Sequence, residues 1–249
     1  MAAKTPLALI HGGLGRAANW RPFLSAFGGD VSPLLIELPG HGLAEEFDET
    51  RDYSDQAVEI ALDEMPSDPV PLIGHAFGAA LALKIAIERP SRVKSLVLVE
   101  PVFFAAIKGR WEYDKIVRDL APFRKKIEAA ENATAVREFH KVWSKVPWND
   151  LPSEQRAYMM ARVGLLPEFD TLIFDDLAGL LGSGRLEGLE MPVTFVDGGD
   201  THPSIAEIIS TVGDRMPDAE WITVKGASHD LPMTHPEQLV KAIDGRLFI

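Results

Sequence analysis

The chain has 249 residues, 46% of them hydrophobic, and a formal net charge of −12. This acidic balance argues against nucleic acids and anionic membranes as partners, and the absence of cysteine excludes disulfides, thiolate metal sites and a cysteine nucleophile. No apolar run is long enough to span a membrane and the amino-terminal residues lack the apolar core of a signal peptide, so we expect a cytoplasmic protein.

Apolar runs and helical repeats alternate through the first hundred residues. The first run ends in the glycine loop His11-Gly12-Gly13-Leu14-Gly15, which can expose backbone N–H groups, and the second ends in Pro39-Gly40-His41-Gly42. Short all-apolar runs bounded by turn residues are typical of buried parallel strands. The predicted strands are 7–10, 33–38, 70–73 and 95–99, and the predicted helices are 20–27, 54–65 and 79–87.

The alternation stops after residue 101. Residues 113–181 have helical spacing throughout, and residues 102–188 carry as many basic as acidic residues, so the acidic excess lies in the flanks. Alternation then resumes, with predicted strands at 193–196 and 221–224 and predicted helices at 205–216 and from Pro236. The sequence therefore predicts a doubly wound, mostly parallel α/β sheet, formed by residues 1–101 and 189–249, with an all-helical cap at 102–188.

The stretch Gly74-His75-Ala76-Phe77-Gly78 lies where the third strand meets its helix. Glycines at i−2 and i+2 of residue 76 are what a very tight strand-to-helix turn needs, because a Cβ at either position would collide with neighbouring backbone. Such a nucleophile elbow has the pattern G-x-S-x-G and lifts its central side chain onto the top of the sheet. Here the central residue is Ala76, whose methyl group cannot attack a carbonyl.

Ligand sites in such sheets lie at the carboxyl ends of the strands. Residue 76, Asp200 and His229 all fall there, in the order nucleophile, acid, histidine. We predict that Asp200 orients His229, with Asp197 and Glu100 as rivals for this role. The amides of Phe77 and Gly13 are the predicted oxyanion donors, with Leu14 as an alternative to Gly13.

These motifs together resemble the α/β-hydrolase family, of the small capped serine esterase type, over nearly the whole chain. The matching pieces are the loop at 11–13, Glu37-Leu38-Pro39-Gly40-His41-Gly42, the elbow at 74–78, residues 193–200, Gly226-Ala227-Ser228-His229 and His235-Pro236-Glu237. The resemblance implies a triad of residue 76, Asp200 and His229, with 102–188 as the lid. The chain departs from the family in Ala76, in Asp197 where glycine is more usual, and in lacking the antiparallel strands that open the fold.

Several residues are predicted to surround the substrate or to support the loops. Leu14, His75, Phe104 and Trp143 are expected to contact the substrate, whereas His11 and His41 are expected to brace their glycine loops. No group of residues has metal-ligand spacing, so we expect neither a metal nor a cofactor. The expected partner is a small-molecule ester, and the sequence does not predict the oligomeric state.

Three functions fit this pattern. The favoured one is an ester hydrolase working through an acyl-enzyme, present here as an inactive form in which the nucleophilic serine has been replaced, by engineering, with Ala76. The alternatives are a natural non-catalytic protein that binds a small molecule in the same pocket, and a C–C bond hydrolase that uses the same triad. Fold and triad alone do not separate these chemistries.

Overall fold

A computed structural model describes residues 4–28 and 31–247, within which six strands form one parallel sheet in the order β2-β1-β3-β4-β5-β6. The strands are β1 Thr5–Ile10, β2 Val31–Ile36, β3 Val70–His75, β4 Val93–Val99, β5 Val193–Gly198 and β6 Glu220–Val224. The α-helices are α1 Arg21–Phe27, α2 Tyr53–Glu64, α3 Phe77–Glu88, α4 Trp111–Glu128, α5 Asn132–Trp143, α6 Ser153–Arg162, α7 Asp170–Ile173, α8 Pro203–Gly213, α9 Leu231–Thr234 and α10 Pro236–Ile243. The predicted fold class is confirmed.

The second strand differs from its prediction by two residues at each end. Its register is determined by pairing with β1, from Thr5 opposite Val31 to Ile10 opposite Ile36. Pro33 lies inside β2 and has no N–H to donate, which is tolerated because β2 is an edge strand of the sheet. Pairing with a neighbour, rather than the local apolar run, therefore decides where this strand begins.

The sheet is covered on both faces. All six residues of β3 are buried, and α3 packs against it with ten of its twelve residues buried. One cluster of buried hydrophobic side chains lies on each face of the sheet, as doubly wound folds require. Of the described helices, none is both long and apolar enough to cross a membrane.

Only helices and turns connect β4 to β5. This segment contains α4 to α7 together with the 3₁₀ turns Phe104–Ile107, Trp148–Asp150 and Val163–Phe169. Phe169 stacks on Phe77, the first residue of α3, with ring centroids 3.9 Å apart. The segment therefore packs against the carboxyl end of β3. That residues 102–188 form a separate cap domain stays a prediction.

The elbow glycines allow the closest approach of backbone in the core, and this leads to a stability prediction. A Cβ on Gly78 would lie 2.5 Å from the carbonyl oxygens of Ile10 and His11, so we expect Gly78→Ala to lower the free energy of unfolding by about 3 kcal/mol. The matched control is Gly164→Ala, because nothing lies within 4 Å of a Cβ there. Equilibrium urea unfolding measures both variants, and equal stabilities would contradict the close approach.

Candidate active site

The elbow has the backbone conformation that its glycines predicted. Ala76 lies between β3 and α3 with φ 52° and ψ −115°, a region that non-glycine residues rarely adopt. Its N–H donates to the carbonyl of Val99 at 2.9 Å, which ties the elbow to the end of β4. The Ala76 methyl therefore stands at the carboxyl end of the sheet, where it lines a cavity.

Two histidines hold the first glycine loop by its carbonyl oxygens. The Gly12 carbonyl accepts from Nδ1 of His11 and from the Gly15 N–H, both at 2.8 Å, and the Gly13 carbonyl accepts from Nε2 of His41 at 2.6 Å. Because N–H and C=O point in opposite directions across a trans peptide, the Gly13 N–H is turned away from His11. The predicted bracing roles of His11 and His41 are confirmed by these contacts.

The candidate oxyanion donors come from this loop and from α3. Phe77 is the first residue of α3, so its N–H has no acceptor within the helix. Gly13 and Phe77 both line the same cavity as Ala76, as does Leu14. A Cβ on Gly13 would lie 2.5 Å from the ring of Phe169, so the loop has no room for a side chain there.

The prediction that Asp200 faces His229 is wrong. Nδ1 of His229 lies 3.0 Å from Oε2 of Glu100, whereas Oδ2 of Asp200 pairs with Nζ of Lys145 at 2.8 Å on the surface. Asp197 does not take the place either, since its carboxylate accepts from Nε1 of Trp221. Glu100 is therefore the carboxylate that orients the imidazole.

Glu100 is fully buried, and its carboxylate is held at both oxygens. Oε1 accepts from the Gly198 N–H and Oε2 from the Thr201 hydroxyl, each at 2.6 Å, in addition to the imidazole. Its φ is 52°, the same left-handed value as at Ala76. The signal that could have identified it is an acidic residue directly after an all-apolar strand and before a proline, in Val99-Glu100-Pro101.

His75 supports His229 from the side of the elbow. Its Nε2 donates to the His229 carbonyl at 2.8 Å, and its ring is buried. Burial and the neighbouring His229 lower the pKa of His75 to about 4, so the ring is neutral at pH 7. His75 also lines the cavity, and its predicted contact with substrate stays a prediction.

The cavity has a volume of about 140 Å³ and a largely apolar wall. The predicted residues Leu14, Phe104 and Trp143 line it, and the Trp143 ring lies 4.5 Å from the His229 ring. The sequence did not single out the other cavity-lining side chains from the helical segment. These are Val102, Leu120, Arg124, Phe139, His140, Ser144, Gln155, Met159, Leu166, Phe169, Asp170, Ile173 and Phe174.

Arg124 is the one Lys or Arg side chain among the described residues that line this cavity, and it is already paired. Arg124 donates to both carboxylate oxygens of Asp170, at 2.5 and 3.1 Å, and its guanidinium lies 4.9 Å from the Phe174 ring centroid. Its charge is therefore balanced within the wall. In the described ranges 4–28 and 31–247, no group of three His, Cys, Asp or Glu side chains is placed to hold a metal ion.

A second, more polar space of about 480 Å³ adjoins the cavity. The two spaces share lining residues, among them Leu14, Gln155 and Met233. Arg16 and Arg21 lie only on the outer space. A ligand that reaches Ala76 through this outer space would pass from a polar to an apolar environment.

The family model and the similar proteins each match nearly the whole chain. A family model described as the alpha/beta hydrolase family matches residues 7–242. The (E)-2-((N-methylformamido)methylene)succinate hydrolase of Acinetobacter baylyi is 22% identical, covering 97% of this chain and 90% of that protein. The pimeloyl-[acyl-carrier protein] methyl ester esterase of Aeromonas hydrophila is 26% identical, covering 96% and 93%.

Solved structures agree in fold. A hydrolase from Pseudomonas aeruginosa superposes with a TM-score of 0.75 at 20% identity, over 100% of this chain and 92% of that one. The carboxylesterase CesB from Bacillus subtilis superposes with a TM-score of 0.71 at 18% identity, over 100% and 85%. At such identities these structures support the fold of the chain.

Proposed function

We propose that this chain, which belongs to the alpha/beta hydrolase family, has a site built to hydrolyse a small carboxylic ester. The observation that carries the proposal is the His229–Glu100 pair at 3.0 Å, with its imidazole on the cavity that residue 76 and two amide donors also line. An ester is the linkage named for the Aeromonas hydrophila relative. The Acinetobacter baylyi relative is also named as a hydrolase of a small molecule, a substituted succinate.

Each group has a definite role in this proposal. Residue 76 occupies the nucleophile position, His229 is the general base and then the general acid, and Glu100 holds the Nδ1–H tautomer of His229 and stabilises the imidazolium. The N–H groups of Gly13 and Phe77 bind the oxyanion. An acyl-enzyme requires a hydroxyl at position 76, so that route is open to a serine there, and the replacement of a serine by Ala76 stays a prediction.

The size of the cavity limits the substrate. About 140 Å³ is close to the volume of an engineered protein cavity that binds benzene, so one side of the ester is no larger than about one ring or a short chain. The other side can extend into the polar outer space. We further propose that residues 102–188 act as the lid, since Phe104, Trp143 and Phe169 from this segment line the cavity.

Binding of a tetrahedral anion tests the proposal without requiring a nucleophile. A site that stabilises an oxyanion binds a transition-state analogue at least about 10²-fold more tightly than the substrate. We therefore expect ethyl propylphosphonate, as its monoanion, to bind the Ala76 chain at least about 10²-fold more tightly than ethyl butyrate, as measured by isothermal titration calorimetry. Equal affinities would favour a non-catalytic binding protein, and butyrate serves as the control for simple anion binding.

A further inference from the structure

We propose that the Ala76 chain is itself a catalyst, in which His229 activates a water molecule that attacks the ester carbonyl directly. No covalent intermediate forms on this route. The substrate class rests on the proposed function, but the claim is separate, because it concerns what the chain does with alanine at position 76. It departs from the sequence-based expectation that the chain is inactive.

The base is complete without a serine. Glu100 accepts from Nδ1 of His229, so the lone pair of the neutral imidazole is on Nε2, at the opposite side of the ring. Among the described residues, Nε2 of His229 makes no hydrogen bond, and the ring lines the cavity. His75 holds the backbone carbonyl of His229 at 2.8 Å, so the base is fixed from both the carboxylate side and the elbow side.

The space in front of Ala76 can hold the attacking water. A Cβ on Gly12 would lie 3.2 Å from the Ala76 Cβ, so the absence of a side chain at Gly12 leaves the methyl group facing open cavity. A water needs about 10–15 Å³, and the cavity has about 140 Å³ for water and acyl group together. Compared with serine, alanine at position 76 lacks the side-chain oxygen, so the oxygen of a water molecule can occupy that space.

The step balances with water as the only co-reactant. The water oxygen forms a bond to the carbonyl carbon as its proton passes to Nε2 of His229, and the carbonyl π electrons move to the oxygen held by the Gly13 and Phe77 amides. The tetrahedral anion then collapses, the C–O bond to the leaving group breaks, and the imidazolium returns its proton to the leaving oxygen. The products are a carboxylic acid and an alcohol.

The test measures hydrolysis of p-nitrophenyl acetate by the Ala76 chain against His229→Ala, both purified in the same way. General-base catalysis contributes about 10²- to 10⁴-fold, so we expect a catalysed rate at least about 10²-fold above that of His229→Ala. His229→Gln, which keeps a polar side chain, repeats the control if the alanine variant folds poorly. Rapid mixing with substrate in excess should show no burst of p-nitrophenol, because no acyl-enzyme accumulates, and an organophosphonate should leave the chain unlabelled.

Three outcomes would overturn the water route. A rate equal to that of the His229 variants would show that His229 does not act as the base. An acetyl group found on His229 by mass spectrometry would show that the imidazole, and not a water molecule, attacks the ester. An acetyl group on any other residue would place the chemistry elsewhere. The phosphonate affinity separates the proposed ester site from the proposed water route. Tight binding of the phosphonate without turnover by the Ala76 chain would support the ester site and contradict the water route.

Discussion

Ala76→Ser is expected to raise the rate of p-nitrophenyl acetate hydrolysis by about 10³- to 10⁶-fold over the Ala76 chain. The new hydroxyl would occupy a position already held at φ 52° by the turn between β3 and α3. His229 and Glu100 are already paired, and the Phe77 N–H at the start of α3 has no acceptor within the helix. A serine hydroxyl at position 76 would therefore add the nucleophile that a triad needs. In serine hydrolases, loss of the nucleophile costs up to about 10⁶ in turnover while a smaller residual catalysis remains.

The gain should come with a covalent signature. An organophosphonate should label the variant once, with the added mass on residue 76, and leave the Ala76 chain unlabelled. The matched control is Ala76→Ser combined with His229→Ala, in which the hydroxyl has no base and the gain should disappear. A serine variant that folds, binds the phosphonate and yet shows neither faster turnover nor labelling would contradict the elbow as a nucleophile site.

The stability of Ala76→Ser shows whether its higher rate could come from a change in folding. Serine and alanine are close in size, and the strain at position 76 lies in the backbone, which the substitution leaves unchanged. We therefore expect urea unfolding of Ala76→Ser and of the Ala76 chain to agree within about 1 kcal/mol. A rate change of several powers of ten at constant stability then reports on chemistry rather than on folding.

Glu100→Gln is expected to lower turnover of the serine variant by about 10²- to 10⁴-fold. The carboxylate of Glu100 accepts from Nδ1 of His229, which keeps the lone pair on Nε2 and stabilises the imidazolium. An amide has no charge and can donate to Nδ1, which would favour the opposite tautomer. Because Gln keeps an acceptor for the Gly198 N–H or the Thr201 hydroxyl, the fold should survive, as far-UV circular dichroism and urea unfolding can establish.

Asp200→Asn is the matched control for this experiment. Asp200 is half-exposed and pairs with Lys145, and it does not line the cavity of Ala76. Turnover of Ala76→Ser should therefore stay within about twofold when this carboxylate is neutralised, since an exposed ion pair contributes little. A large loss with Asp200→Asn, together with a small loss with Glu100→Gln, would restore the original prediction that Asp200 is the acid.

The parts of the site that local sequence determines are those built from neighbouring residues. Gly74 and Gly78 flank residue 76 at the spacing of an elbow, and the structure has the strained turn there. The run of apolar residues before each turn predicted the strands to within a few residues. His229 was identifiable because it follows a strand end in a short glycine-containing loop.

The choice of acid was beyond the sequence, because it depends on how strands pair. Both Glu100 and Asp200 follow strands, and both β4 and β5 end at the same edge of the sheet. Only the tertiary structure shows that the Glu100 side chain is buried between the Gly198 amide and His229, while Lys145 from the helical segment holds Asp200 at the surface.

The wall of the cavity was likewise decided by packing. Helical periodicity shows that a helix has an apolar face, but not which part of that face meets the sheet and which part borders open space. Phe169 lies against Phe77 and the Gly13 loop, and Arg124 is balanced by Asp170, because the helical segment settles onto the carboxyl ends of the strands in one orientation. The sequence by itself determined the elbow and its fold, since those depend on short-range backbone geometry. The acid and the cavity required contacts between residues far apart in the chain, and these form only when the sheet and the helical segment are packed together.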